Sequence, residues 1–600
     1  MPCLRPLLSC SALLLIAGTL GLSFLVSLPG GSVAGAVERP ASSVNEKLLA
    51  HQSVFQPPRL IRVSEHVVVA YGYTMSNIVM IEGDKGLFIF DTGMRVEKAE
   101  LALAAFRKQT DKPILGIAYS HGHGDHTGGV RAFVPDGSDI PVYAHRNALR
   151  YLEDINSATS AVFRLRAVEQ LGLILPEGID GTIGSGGGPV VSMGGTVSYI
   201  TPTHLFDEEV EIDLGGVIVR LFHAPGDLDD GIAAWIEKDG VLLTGDTVVG
   251  THTYPILSTP RYEKGRSAEA YIASINHFRD FGARHLVGGH GLPVDGTENV
   301  AELIDRTHLV ARYIMDETLR QINARKHPAE IAAHLRVPAH VMGNEAFEDY
   351  YHRLNWIVRG VYNKEMGWYS GDTLDLIALA PKEYASKLIA ALGGSDATLA
   401  AATQAYDAGE HRWAASLATQ LLALDATNDA ALSVKANALR AIAYQSDSAN
   451  ERNYLLSEAD LMLGEVGLKV IAGQALSRVS AFFTGPTIPD IAAAGPSSAF
   501  IQRLRIRADE SKASDDALSV TFVITDRDET YPMTLTHGVM IHERPTSREA
   551  DATLRLDHRA LVLLSDGHMP WEDVLDLPEV QVEGDNEKLH RFMNNLTWND

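Results

Sequence analysis

Residues 118–129 read AYSHGHGDHTGG, with three histidines and an aspartate (His121, His123, Asp125 and His126) inside six positions. The cluster follows the apolar run ILGIA and is interleaved with Gly122, Gly124, Gly128 and Gly129, which permit the tight backbone path such a loop needs. Neutral imidazoles and a carboxylate are the donors of a zinc site, although Fe and Mn accept the same ligand types. In an extended chain His121, His123 and Asp125 project to one side and His126 to the other. A turn after the strand could then present two ligand pairs to two neighbouring ions. A solvated His-rich loop is the bland alternative, and the rest of the chain weighs against it.

Upstream, VVVAYG, NIVMIEG and GLFIFDTG are short β-rich runs divided by Gly and Asp turns. A helix over RVEKAELALAAFRKQT and the strand ILGIAYS follow. The histidine cluster thus begins where a buried strand ends, the place at which α/β folds assemble sites from converging loops. Downstream, three more strand ends each carry one ligand-type residue: Asp227 in VIVRLFHAPGDLDDG, Asp246 in GVLLTGDTVVG and His290 in ARHLVGGHGLP. Each alone reads equally well as a helix cap, a turn residue or a loop histidine. Their recurrence at strand ends favours a shared site. The run Asp227, Asp229, Asp230 leaves open which of the three is the ligand, and His223 reads as a core or stacking residue.

The order H-x-H-x-D-H, PG-D, TGD, GGHG resembles the metallo-β-lactamase fold superfamily over roughly residues 60–300. That resemblance implies an αββα sandwich with metals at one sheet edge. It further implies that His121, His123 and a third ligand hold one zinc, that Asp125, His126 and His290 hold the other, and that Asp246 bridges them. Asp125 and Asp246 are then the candidate catalytic carboxylates, and Asp227 completes the metal set.

Beyond residue 300 the chain turns Ala- and Leu-rich with helical spacing, as in DATLAAATQAYDAGEHRWAASLATQLLALDATNDAALSVKANALRAIAYQ, which suggests antiparallel helical hairpins. RGVYNKEMGWYSGD, AGEHRWAASLATQLLALDATNDAA and AYQSDSANERNYLLSEADL resemble the dimerisation region of alkyl sulfatases, a likeness that implies a homodimer. The C-terminal part alternates, with ALSVTFVITDRDETYPMTLTHGVMIHER as two or three antiparallel strands and ATLRLDHRALVLLSDG and VQVEGDNEKLHRFMNNL as a strand and a terminal helix. It resembles the sterol-carrier-like domain of the same enzymes, which implies an apolar groove. The expected architecture is an α/β metallo-β-lactamase sandwich over 45–300, an all-α domain over 301–464 and an α+β domain over 471–600, after a signal peptide over 1–36.

The leader carries Arg5, a long apolar stretch and an Ala34-Gly35-Ala36 cleavage pattern, predicting an exported, periplasmic or secreted protein. The apolar run approaches spanning length, so a retained anchor is the alternative. Both cysteines, Cys3 and Cys10, fall in the leader, so any metal in the processed chain rests on His, Asp and Glu. A formal net charge of −25 argues against a nucleic-acid partner, whose binding needs concentrated Lys and Arg.

The expected reaction is hydrolysis of alkyl sulfate esters. Two Zn²⁺ per chain lower the pKa of a bridging water from about 16 to roughly 7, giving a hydroxide that attacks the ester. Arg359, Tyr362, His352 and Asn355 are candidates for gripping the sulfate. One departure matters: alkyl sulfatases typically place glutamates where this chain has Asp227 and Asp246. The competing readings are therefore another hydrolase of the same fold, acting on a phosphodiester, lactone or lactam, and a non-catalytic lipid carrier.

Overall fold

The computed structural model describes residues 37–191, 194–250, 252–343, 347–465, 489–512, 516–542, 549–567 and 569–598. The leader at 1–36 lies outside them. Among the described residues no helix is long and apolar enough to cross a membrane.

The first sheet takes its strands in chain order: β1 (Arg59–Arg62), β2 (Val67–Tyr71), β3 (Ile78–Glu82), β4 (Leu87–Phe90), β5 (Ile114–Ala118), β6 (Val142–His145) and β7 (His204–Phe206). Hairpins join β1 to β4 antiparallel, while β4 to β7 run parallel. The second sheet is ordered β13-β12-β11-β10-β9-β8, with β8 (Glu209–Asp213), β9 (Ile218–His223), β10 (Ile232–Ile236), β11 (Val241–Gly245), β12 (His285–Gly288) and β13 (Val294–Asp295). β11 and β12 are its parallel pair. The runs read as strands in the sequence are β2, β3, β4 and β5.

Period-2 alternation decides the layering. Val67, Val69, Val79, Ile81, Phe88 and Phe90 of the first sheet meet Val219, Leu221, Ala234, Ile236 and Leu243 of the second in one buried layer. Val68, Met80, Leu87 and Ile89 face away and pack on Ala99, Ala102 and Phe106 of the helix Val96–Phe106. Phe222, Leu242 and Leu286 pack on the helix Ala268–Phe278 and on Ile304, Val310 and Ile314 of the long helix Thr297–Asn323. Helix, sheet, sheet, helix is thus an αββα sandwich. Strands buried on both faces read as continuous apolar runs, which is why VVVAY is buried throughout.

The helices Ser395–Asp407, His411–Leu424, Asp429–Gln445 and Ala449–Leu463 pack each on the next. Ala402, Ala405, Ala414, Ala418 and Ala438 line their contacts, and small side chains there allow close approach. Residues 37–45 run along this unit as a strap: Asn437 Nδ2 donates to Val37 O, Asn45 Nδ2 to Gln445 O, and Arg452 Nη1 to Ser43 O. Arg452 is fully buried, and its guanidinium also donates to Gly181 O and Ile179 O. The helix Ala449–Leu463 therefore ties the strap and the sandwich together.

The C-terminal sheet, ordered β16-β15-β14-β17-β18, comprises β14 (Leu518–Ile524), β15 (Glu529–Thr536), β16 (Val539–Ile541), β17 (Ala552–Leu556) and β18 (Gln581–Gly584). β14, β15 and β16 pair antiparallel, as the alternating run suggested, and β17 joins β14 in parallel. Phe522, Leu554 and Leu556 are covered by Leu561, Leu564, Leu589 and Phe592 of this unit's own helices. The site-bearing end of the sandwich is elsewhere, where β4, β5, β9, β11 and β12 deliver their loops.

Candidate metal centre

The loop after β5 is not extended through its last ligands. His121 and His123 leave the strand, but Gly124–Thr127 forms one helical turn. The turn swings Asp125 and His126 back over the strand end, so His126 joins the side of the cluster that an extended chain would have turned it away from. The expected turn after the strand is thus this helical turn, and it changes the side to which an extended chain would send His126. The turn ends at Gly128, which sits so close to Met94 O that a Cβ would fall at 2.4 Å, so a side chain there would clash.

Three overlapping groups of ligand atoms result: His121, His123 and Asp227; His121, His126 and Asp246; and Asp125, His126 and His290. His123 Nδ1 lies 2.9 Å from His121 Nε2 and 3.1 Å from Asp227 Oδ2. Asp246 Oδ2 stands 3.9 Å from His121 Nε2, 3.4 Å from His126 Nε2 and 3.2 Å from His290 Nε2, a position between the two halves. Asp125 Oδ2 lies 3.4 Å from both His126 Nε2 and His290 Nε2. All seven residues expected at the metals are thus brought together, and all but Asp125 are buried. Of the three aspartates, Asp227 lies among the ligand atoms, Asp229 pairs with Arg150, and Asp230 is buried with neither oxygen hydrogen-bonded among the described residues. His223 stacks on His145 with centroids 3.7 Å apart.

Charge compensation inside the cluster is mutual. Burial would lower His290, but the Asp246 and Asp125 carboxylates outweigh it and push the imidazole up to about 10. His126 is held well above its ordinary value against burial by Asp246, Asp125 and Asp91. Burial works to raise Asp246 and Asp125, yet the facing imidazoles hold both well below the carboxylate range. His121 is driven well below its usual value by burial and by the neighbouring His126 and His123.

These residues fit a metal. Two donors about 2.1 Å from one tetrahedral ion stand roughly 3.4 Å apart, which is the spacing among Asp125, His126, Asp246 and His290. His126 Nε2 and Asp246 Oδ1 are buried with no hydrogen-bond partner among the described residues, and such orphaned donors call for an occupant.

Around the ligands lies a supporting set that the sequence reading passed over. Asp91, directly after β4 in FIFDTG, takes a φ of 62°, a left-handed conformation costing about 1–2 kcal/mol. In return its Oδ2 lies 2.8 Å from His126 Nδ1 and its Oδ1 accepts from Ser120 N at 2.6 Å. Glu263 Oε1 meets His123 Nε2 at 2.6 Å, and the same carboxylate pairs with Arg261 and Arg266, the latter also bound to Asp227. Asp91 shares the strand-end signature of the ligands and was legible in principle. Glu263, Arg261 and Arg266 come from TPRYEKGR, a charged stretch in which nothing announces burial.

The four residues proposed from sequence for the sulfate separate. His352 is buried, and both ring nitrogens lack partners among the described residues. Burial and then the nearby cations Arg266 and Arg261 drive it well below its ordinary value. Tyr362 belongs to the core, its hydroxyl 3.4 Å from Tyr369 O. Asn355 and Arg359 lie on the exposed face of the helix Leu354–Met366 and are not brought to the cluster.

Comparison with known proteins agrees with this geometry. Residues 71–290 match the metallo-beta-lactamase superfamily, 327–464 the alkyl sulfatase dimerisation family and 486–600 the alkyl sulfatase C-terminal family. The chain is 31% identical over 530 residues to a linear primary-alkylsulfatase of a Pseudomonas species, spanning 87% of this chain and 98% of that one. The chain belongs to the alkylsulfatase family. Within it, the alkyl/aryl-sulfatase BDS1 of Saccharomyces cerevisiae is 27% identical, covering 93% of this chain and 85% of that one. The fold is that of the stereoselective inverting sec-alkylsulfatase Pisa1 from Pseudomonas sp., with a TM-score of 0.80 at 24% identity over 93% of this chain and 88% of that one. Both lines of evidence make this alkylsulfatase-family chain an αββα sandwich joined to a helical dimerisation unit and an α+β unit.

Proposed function

We propose that the protein hydrolyses alkyl sulfate esters to alcohol and inorganic sulfate at a binuclear zinc centre. The observation that carries this reading is the convergence of His121, His123, Asp125, His126, Asp227, Asp246 and His290 into overlapping three-ligand groups, in a chain whose relatives are alkylsulfatases. His121, His123 and Asp227 would hold one ion, and Asp125, His126 and His290 the other, with Asp246 shared. Bound there, zinc supplies Lewis acidity and a water acidic enough to react near neutral pH.

The protein's own residues do the positioning. Asp91 keeps the proton of His126 on Nδ1, so Nε2 faces inward, the arrangement by which carboxylates orient metal-bound imidazoles. Glu263 fixes His123 and spaces two cations. Arg261 Nε and the ring nitrogens of His352 lack partners among the described residues; Arg261 and the one N–H of the neutral His352 ring would provide donors for the oxygens of a sulfate monoanion. Planar guanidinium groups recognise such oxyanions by paired hydrogen bonds. The charge of a sulfate head is thus met locally, inside a chain whose net charge is −25.

The dimerisation unit is read as joining two copies of the chain. Trp368, Leu376 and Ile377 are 74%, 60% and 73% exposed, large apolar side chains that a monomer would leave in water. Export by way of the 1–36 leader completes the proposal, and sequencing the N-terminus of secreted protein tests it. Activity is tested by following alcohol release from dodecyl sulfate in zinc-loaded and chelator-treated protein. Turnover only when loaded supports the reading. Turnover of a phosphodiester or a lactam with none of dodecyl sulfate overturns it.

A further inference from the structure

Behind His290, on the side away from the cluster, runs the segment Ile183-Gly184-Ser185-Gly186-Gly187-Gly188. His290 Nδ1 lies 3.1 Å from Gly187 O and 3.0 Å from Met75 O. Two carbonyls accept and neither donates, so Nδ1 carries the proton and Nε2 is left facing Asp125 and Asp246. The segment forms neither helix nor strand, and nothing in its own backbone pairing fixes Gly187 O.

Side chains from the other end of the unit fix it: His51 Nε2 lies 2.7 Å from Gly186 O, and Gln52 brackets the run. Gln52, on the helix Glu46–Ser53 and 7% exposed, donates from Nε2 to Ile183 O and Gly188 O, both at 3.1 Å, and its Oε1 accepts from Gly186 N at 2.9 Å. One amide thereby closes a bracket around Gly187. Asn453 of the helical unit adds a bond from Nδ2 to Gly184 O at 3.1 Å. The glycines are required by the fit. A Cβ would stand 1.6 Å from Gln52 Nε2 at Gly184, 2.2 Å from Tyr350 O at Gly186 and 2.2 Å from Met75 O at Gly188. A run this tightly seated, bonded through its centre to a ligand-type histidine, is a support for that histidine.

We propose that Gln52 is a positioning residue for His290, acting through the Gly187 carbonyl to hold the imidazole with Nε2 toward the metal. This rests on reading the cluster as a metal centre. Among the described residues Gln52 hydrogen-bonds to the glycine run and to no ligand residue. Its removal leaves Met75 O as an acceptor, so the site should weaken and not vanish. Loss of an outer partner of a metal-binding histidine typically costs roughly 10- to 100-fold in affinity.

The test uses the full-length protein as wild type, Gln52→Ala and Gln52→Glu, each checked for native circular dichroism. Zinc affinity at both sites is read by competition with a chromophoric chelator, and amide exchange of residues 183–188 is followed in the metal-free protein. The expected result is a 10- to 100-fold weakening at one site with the other unchanged, and faster exchange of the segment. A general loss of stability would weaken both sites alike. Folded Gln52→Ala with wild-type affinity at both sites overturns the proposal alone, whereas a wild type that binds no zinc overturns the metal reading as well. Should Gln52→Ala fail to fold, Gln52→Glu carries the comparison, since it keeps the volume and the acceptor for Gly186 N but loses both donors.

Discussion

Asp91 grips His126 from behind: its Oδ2 lies 2.8 Å from His126 Nδ1 while His126 Nε2 faces Asp125 and Asp246. Asp91→Ala should therefore release the ring and weaken zinc binding at the Asp125, His126, His290 site by roughly 10- to 100-fold. Chelator competition measures this, and unchanged affinity in a folded variant would contradict it.

Glu263 is buried against His123, Arg261 and Arg266. Glu263→Gln removes the carboxylate shared by two buried cations and leaves Arg266 with Asp227 alone, and breaking such a pair costs about 3–5 kcal/mol. Urea unfolding of the metal-free protein should show that loss. Burial works to raise Glu263, but His123 and Arg261 hold it below its ordinary value. Its contribution is thus present above the unfolded pKa, near 4.3, and fades as pH falls through the depressed folded value. The variant and wild type should converge in acid.

His290 and His126 are both raised in the metal-free cluster, and His290, pushed up to about 10, keeps at pH 8 a proton that an arriving ion must displace. Zinc uptake at pH 8 should therefore release protons, read by calorimetry in buffers of different ionisation heat. Their stabilising contribution is complete below the unfolded imidazole pKa of about 6.5 and is lost as pH rises through the folded value, about 10 for His290. Metal-free protein should accordingly lose stability between those limits. A flat profile there would refute the assignment.

Trp368, Leu376 and Ile377 are large apolar residues exposed on the dimerisation unit. Leu376→Asp with Ile377→Asp should convert a dimer to a monomer in light scattering at micromolar concentration, without lowering the melting temperature of the sandwich. A wild-type monomer would remove the basis for the proposed homodimer.

The ligands were legible because a strand end is visible in sequence: an apolar run closes and a ligand-type residue follows, as at Asp246 and His290. What pattern alone missed is contact between distant segments. Glu263 sits in a charged stretch that looks solvated, and only the fold shows it inserted against His123. At Gly124–Thr127 a short helical turn overrides the alternation of an extended strand. Arg359 and Asn355 shared a run with His352, but helical geometry sends their side chains to the opposite, solvent face.

The strap at residues 37–45 has a consequence for how the chain reaches its native state. Ser43 O is held by Arg452, 409 positions later, and Asn45 binds Gln445 O, 400 positions later. Contacts of such sequence separation close late, because the intervening loop must lose its freedom before they are rewarded. As the polypeptide leaves the ribosome, the sandwich can collapse while the first strap residues wait for a seat that has not yet been synthesised. The last helix of the middle unit then captures them, and the earliest translated part of the described chain becomes one of the last to find its place.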